Sequence, residues 1–154
     1  MSEELNNVIQ VSIKLEEKLK ELYARFAELH PEDSELWNSL MQENNHNIKL
    51  LENAITTPSG SVLANRLHDL REMYKVVTNK VIFYKNVKDI DKTQIFEDAI
   101  ELEDAKSTLH LDIVRLKSIG RKTLKPFLFA YQTEKKNRML IKNYIFNRKA
   151  ILTC

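Results

Sequence analysis

Glu43 and His46 stand three apart in the segment Leu40-Met-Gln-Glu43-Asn-Asn-His46-Asn-Ile-Lys-Leu50. In a helix, side chains at that spacing reach the same face. Leu36, Leu40, Leu50 and Ala54 fall on it as well, so the stripe expected to enter the core carries a carboxylate and an imidazole. Burying an unpaired carboxylate is costly, and such a residue normally has a partner or a metal. Three further acids interrupt apolar seams elsewhere. Glu16 occupies a leucine position in the series Leu5, Ile9, Ser12, Glu16, Leu19, Tyr23, Phe26. Glu103 lies in the series Phe96, Ile100, Glu103, Ser107, His110, Val114, and Glu134 follows Phe127 and Tyr131 and precedes Ile141 and Ile145.

The elements that must position these residues are long amphipathic helices. The alternating four-three spacing predicts a first helix over roughly 3–28, broken at His30-Pro31. Pro31, Glu32, Asp33 and Glu35 make a favourable first turn for a second helix, which is expected to run to about Thr57 with Trp37 as its anchor. Thr57-Pro58-Ser59-Gly60 is the strongest break in the chain. A connector over roughly 58–92 follows. It is helical over about 61–80, and Val81-Ile82-Phe83-Tyr84 reads equally well as extended chain. Having no acid on its apolar side, it is expected to lie against the bundle as a cover. The next helix spans about 93–118, with Gly120 as its stop, and the last spans about 122–148.

The bulk composition agrees. One domain is the natural reading of 154 residues, and two Gly and three Pro leave few places to turn. With 30% charged and 43% hydrophobic residues, the chain points to a few long helices rather than sheets. The lone cysteine, Cys154, excludes disulfides, Cys-ligated zinc and rubredoxin-type iron within the chain. No apolar run approaches the ~18 residues of a membrane span, and MSEELNN has no signal-peptide character, so a cytoplasmic protein is expected. Net charge is +2 but uneven: residues 1–57 hold eleven acids and five bases, and residues 120–154 hold nine bases and one acid. Side-by-side packing of acidic and basic helices accounts for this, and no aromatic-and-basic pattern of a nucleic-acid module accompanies it.

The acids recur in an ordered way. Leu15-Glu16-Glu17 with Leu22-Tyr23 matches Leu102-Glu103-Asp104 with Leu109-His110. Leu40, Glu43, Ile48 and Leu50 match Tyr131, Glu134, Met139 and Ile141. Two helical hairpins, over roughly 3–57 and 93–149, would then pack as an antiparallel four-helix bundle with four carboxylates meeting inside.

This arrangement resembles the rubrerythrin-like branch of the ferritin-like di-iron carboxylate superfamily, over nearly the whole chain. The Trp ahead of Glu-x-x-His and the acid-to-ring spacing are similar as well. The resemblance implies a ferritin-like bundle with a long helical crossover. Glu16 and Glu103 would be terminal ligands, Glu43 and Glu134 the bridging pair, and His46 the imidazole ligand of one metal. Asn137 stands where the second imidazole belongs, and an amide is a much poorer iron ligand. Lys106 replaces an additional Glu of that branch. It is expected to be solvated; turned inward, its ammonium would neutralise the carboxylates and give a metal-free cluster. Tyr23 and His110 are expected to pack and hydrogen-bond behind the ligands.

The function implied is an iron protein, binding one or two ions, with manganese or zinc fitting the same ligands. It would be a non-haem di-iron oxidoreductase acting on peroxide or dioxygen with a separate electron donor. The alternatives are a non-catalytic ferritin-like bundle with a degenerate or mononuclear metal site, or a helical binding or regulatory protein. A homodimer is expected, with neither nucleic acid nor membrane as partner.

Overall fold

The described residues of the computed structural model form five α-helices and one 3-10 turn. The model describes the backbone of residues 3–53, 63–115 and 121–153, and the side chains of residues 7–53, 65–115 and 125–145. The helices are α1 (Glu3–Leu29), α2 (Ser34–Glu52), α3 (Leu63–Asn86), α4 (Lys92–Val114) and α5 (Arg121–Thr153), and the described residues contain no strand. The Thr57–Gly60 break, Ala54 and Gly120 lie outside the described residues.

The two described junctions have local causes. Pro31 opens a single 3-10 turn, Pro31–Asp33, that redirects the chain from α1 into α2. Asp91 caps α4, accepting a hydrogen bond from the Thr93 amide at 2.8 Å. The Arg25 guanidinium donates to the carbonyls of Tyr84 at 2.8 Å and Val87 at 2.9 Å, placing a cation on orphan carbonyls at the end of α3.

α1 packs against α2 and α3, α4 packs against α3 and α5, and α5 closes onto α2. The ring order is therefore α1–α2–α5–α4–α3. Contacts such as Lys20 with Asn45 and Arg66 with Asp112 make α1/α2 and α3/α4 antiparallel. Successive helices thus alternate in direction.

One open alternative is resolved here and one expectation is corrected. Val81–Tyr84 is helical: Val81 and Tyr84 are 2% and 0% exposed, while Ile82 and Phe83 are 54% and 53% exposed. An extended segment would have buried alternate residues instead. Nor is α3 a mere cover. Its seam of Leu67, Leu70, Met73, Val77, Val81 and Tyr84 is buried, and it stands in the ring between α1 and α4. Six apolar side chains could not be left in water, at about 1.5–3 kcal/mol each, so α3 becomes a wall of the bundle.

The apolar core concentrates where α1 meets α2. Trp37 stacks between Tyr23 and Phe96, with ring centroids 5.7 and 5.6 Å away, and Phe26 packs edge-on against Trp37 and Tyr84. Among the described residues, no helix is long and apolar enough to cross a membrane.

A buried charge cluster as the candidate functional site

Glu16 on α1, Glu103 and Lys106 on α4, and Glu134 on α5 are each no more than 1% exposed, and they meet at the centre of the ring. The Lys106 ammonium lies 3.1 Å from Glu16, 3.8 Å from Glu103 and 3.7 Å from Glu134. It therefore occupies the middle of three carboxylates from three helices. Lys106 is one turn beyond Glu103 on the same face, so the seam that buries one must bury the other.

Further polar side chains complete the shell. The Asn44 amide donates to Glu16 Oε2 at 2.7 Å, and Asn47 donates to Glu16 Oε1 at 3.4 Å. The Tyr23 hydroxyl donates to Glu103 Oε1 at 2.6 Å. His110 Nδ1 donates to Glu134 Oε1 at 2.5 Å. Asn137 is buried one turn after Glu134, with its Nδ2 lacking a hydrogen-bond partner.

Three carboxylates against one ammonium cannot all ionise cheaply in a dry interior. Burial pushes the Glu103 carboxyl up to about 7; Lys106 and the Tyr23 hydrogen bond pull it down, and Glu134 and Glu16 push it further up. Burial alone would discharge Lys106, but the carboxylates of Glu103, Glu16 and Glu134 outweigh it and hold the ammonium charged more firmly than usual. Burial first, and then the Glu103 carboxylate, keep the Tyr23 phenol protonated. The cluster is thus an internal ion-pair network in which the Glu103 carboxyl is held well above the usual carboxylate range.

The expected site residues divide. Glu16, Glu103 and Glu134 are brought together, Asn137 is buried beside them, and Tyr23 and His110 hydrogen-bond to carboxylates as expected. Lys106 is inward rather than solvated. Glu43 and His46 are not brought to the centre: Glu43 is half-buried, and His46 is exposed and packs on Phe129 with centroids 4.9 Å apart. The buried positions of α2 are Leu36, Trp37, Leu40, Asn44, Asn47, Ile48 and Leu51. Leu36 and Leu40 are shared with the expected seam, but beyond them the inward positions move on by one residue, from Glu43, His46 and Leu50 to Asn44, Asn47 and Leu51. Trp37 decides it, because its stacking on Tyr23 and Phe96 fixes which side of α2 faces inward.

With that register the two hairpins remain related. Trp37, Leu40, Asn44, Asn47 and Leu51 each lie 90 positions before Phe127, Ala130, Glu134, Asn137 and Ile141, all of them buried. Asn44 therefore corresponds to Glu134, and Asn47 to Asn137. Similarly, Leu19 corresponds to Lys106 at the 87-residue spacing that relates Glu16 to Glu103.

The donor set does not fit a di-iron centre. Of four carboxylates only three are present, both imidazole positions hold Asn, and an ammonium stands among the oxygens. A smaller ligand set exists: single ligating atoms of Glu16, His110 and Glu134 lie within 4.8 Å of one another, all buried. An ion there would have to coexist with the Lys106 charge or displace it. No family model, curated protein or solved structure matches the chain.

Proposed function

We propose that the chain is a non-catalytic bundle of the ferritin-like type, in which the Lys106 ammonium serves as the internal cation of the carboxylate cluster, and that it acts as a binding or regulatory protein. The observation that supports this is the position of Lys106 Nζ, within 3.8 Å of Glu16, Glu103 and Glu134 together. A charge already partly compensated by the chain's own side chain weakens the attraction for an external cation. The test is loading with ferrous or manganous ion at neutral pH, followed by metal counting and thermal unfolding. Wild-type protein should retain no stoichiometric metal and show no rise in melting temperature. Lys106→Glu, which removes the ammonium and adds an oxygen ligand, should gain both. Stoichiometric metal in the wild type would overturn the reading.

A second reading keeps the iron. The proximity of Glu16, His110 and Glu134 favours a mononuclear site, with peroxide or dioxygen as co-substrate and a separate electron donor. Peroxide consumption by ferrous-loaded wild type, lost in His110→Ala, would favour it over the first.

A further inference from the structure

α5 packs against α4 and α2, and its opposite face has no neighbour among the described helices. The outward side carries two apolar pairs, Leu128 with Phe129 and Met139 with Leu140, which are 38–62% exposed, Phe129 standing at its edge against His46 of α2. The pairs are 11 residues apart, about three helical turns, so they point the same way. Lys125, Lys135, Lys136 and Lys142 lie exposed around them, and among the described residues none of the four forms an ion pair. Lys135 lies over the Tyr131 ring. Acids do not interleave: Glu134, the one described acid of α5, is buried in the cluster, and on α4 Asp104 is taken by Arg138. On the α2 side, Glu43 is half-buried.

From this juxtaposition we infer that the outer face of α5 is a docking surface for an anionic lipid bilayer, with the two apolar pairs entering the interface and the lysines meeting the headgroups. A helix that interleaves large apolar side chains with unpaired lysines matches the chemistry of an interfacial amphipathic helix. Exposed lysines around projecting apolar side chains suit an anionic, deformable surface. A second copy meeting it face to face would oppose four lysines with four more. Nucleic acid would leave the apolar pairs without a role. The expectation of no membrane partner rested on the lack of a spanning segment, and a surface contact requires none. The inference is independent of the charge cluster.

The test is co-sedimentation of the full chain with phosphatidylcholine vesicles, with and without phosphatidylserine. Binding to the anionic vesicles that weakens with salt, and none to pure phosphatidylcholine, is expected. K135E/K136E should weaken it on the order of twentyfold or more, since each surface lysine contributes about fivefold. M139S/L140S should also weaken it several-fold, with both variants melting as the wild type does. Absence of vesicle binding overturns the inference. So does binding that survives M139S/L140S and is matched by heparin, which would make the face a charge-only polyanion site. A concentration-dependent dimer lost in M139S/L140S, without vesicle binding, would assign the face to a second copy instead.

Discussion

Glu103→Gln removes a buried carboxyl proton held up to about 7 while keeping the shape and the oxygen that accepts from Tyr23. The wild-type carboxyl is raised from 4.5 to about 7 by burial, against the pull of Lys106. A carboxyl whose folded pKa exceeds its unfolded value binds its proton more tightly in the folded state. The stability it contributes is complete below 4.5 and is lost as pH rises through about 7. Across that window the difference amounts to about 3 kcal/mol, a large share of a small domain's margin. Glu32, held at about 2 chiefly by its Lys92 hydrogen bond, titrates below the window and cannot imitate the effect. Urea unfolding at a series of pH values across the window should show wild-type stability falling by about this amount, and a much flatter profile for Glu103→Gln. Parallel profiles for the two proteins would refute the assignment of the proton to Glu103.

Lys106→Met should cost about 3–5 kcal/mol at neutral pH, because it strands buried carboxylates, and the deficit should shrink at acidic pH as they take up protons; denaturant melts at both pH values check it. Tyr23→Phe should lose about 1–2 kcal/mol and, by removing a hydrogen bond that lowers the Glu103 pKa, move the pH-dependent loss to higher pH, measurable in the same titration. Glu43→Ala and His46→Ala should each stay within about 0.5 kcal/mol of wild type, whereas Asn44→Ala should cost about 1.5–3 kcal/mol by depriving Glu16 of the shortest of its hydrogen bonds. Equal losses at His46 and Asn44 would refute the α2 register.

Glu16, Glu103 and Glu134 were legible because each interrupts an otherwise apolar seam, and a helix can hide such a residue only by pairing it. Tyr23 and His110 were legible from their common distance to those acids. The α2 register was not, because Glu43-Asn-Asn-His46-Asn offers polar residues to either of two adjacent seams. The deciding information was the aromatic stack on Trp37, a tertiary contact between α1, α2 and α4. Lys106 was ambiguous for a related reason. A lysine on a seam is ordinarily turned to solvent along its flexible stem, and only the convergence of three carboxylates from three helices holds it inside. The role of α3 was hidden by its lack of inward acids, although its apolar spacing was visible.

The order of the helices around the ring also bears on how the protein folds and unfolds. α1, α2 and α3 are consecutive in sequence, and α1 lies between the other two, so these three helices can associate through contacts of shorter sequence span, such as Arg25 to Tyr84 at 59 residues. The charge cluster needs α1, α4 and α5 together, and its contacts span as many as 90 residues. Its ions therefore leave water late, after the N-terminal three-helix unit has formed. Substitutions in the cluster should then act chiefly on the unfolding rate and leave the folding rate nearly unchanged, while changes at Trp37 or Tyr84 should slow folding. The cluster would govern how long the native state lasts rather than how quickly it is reached.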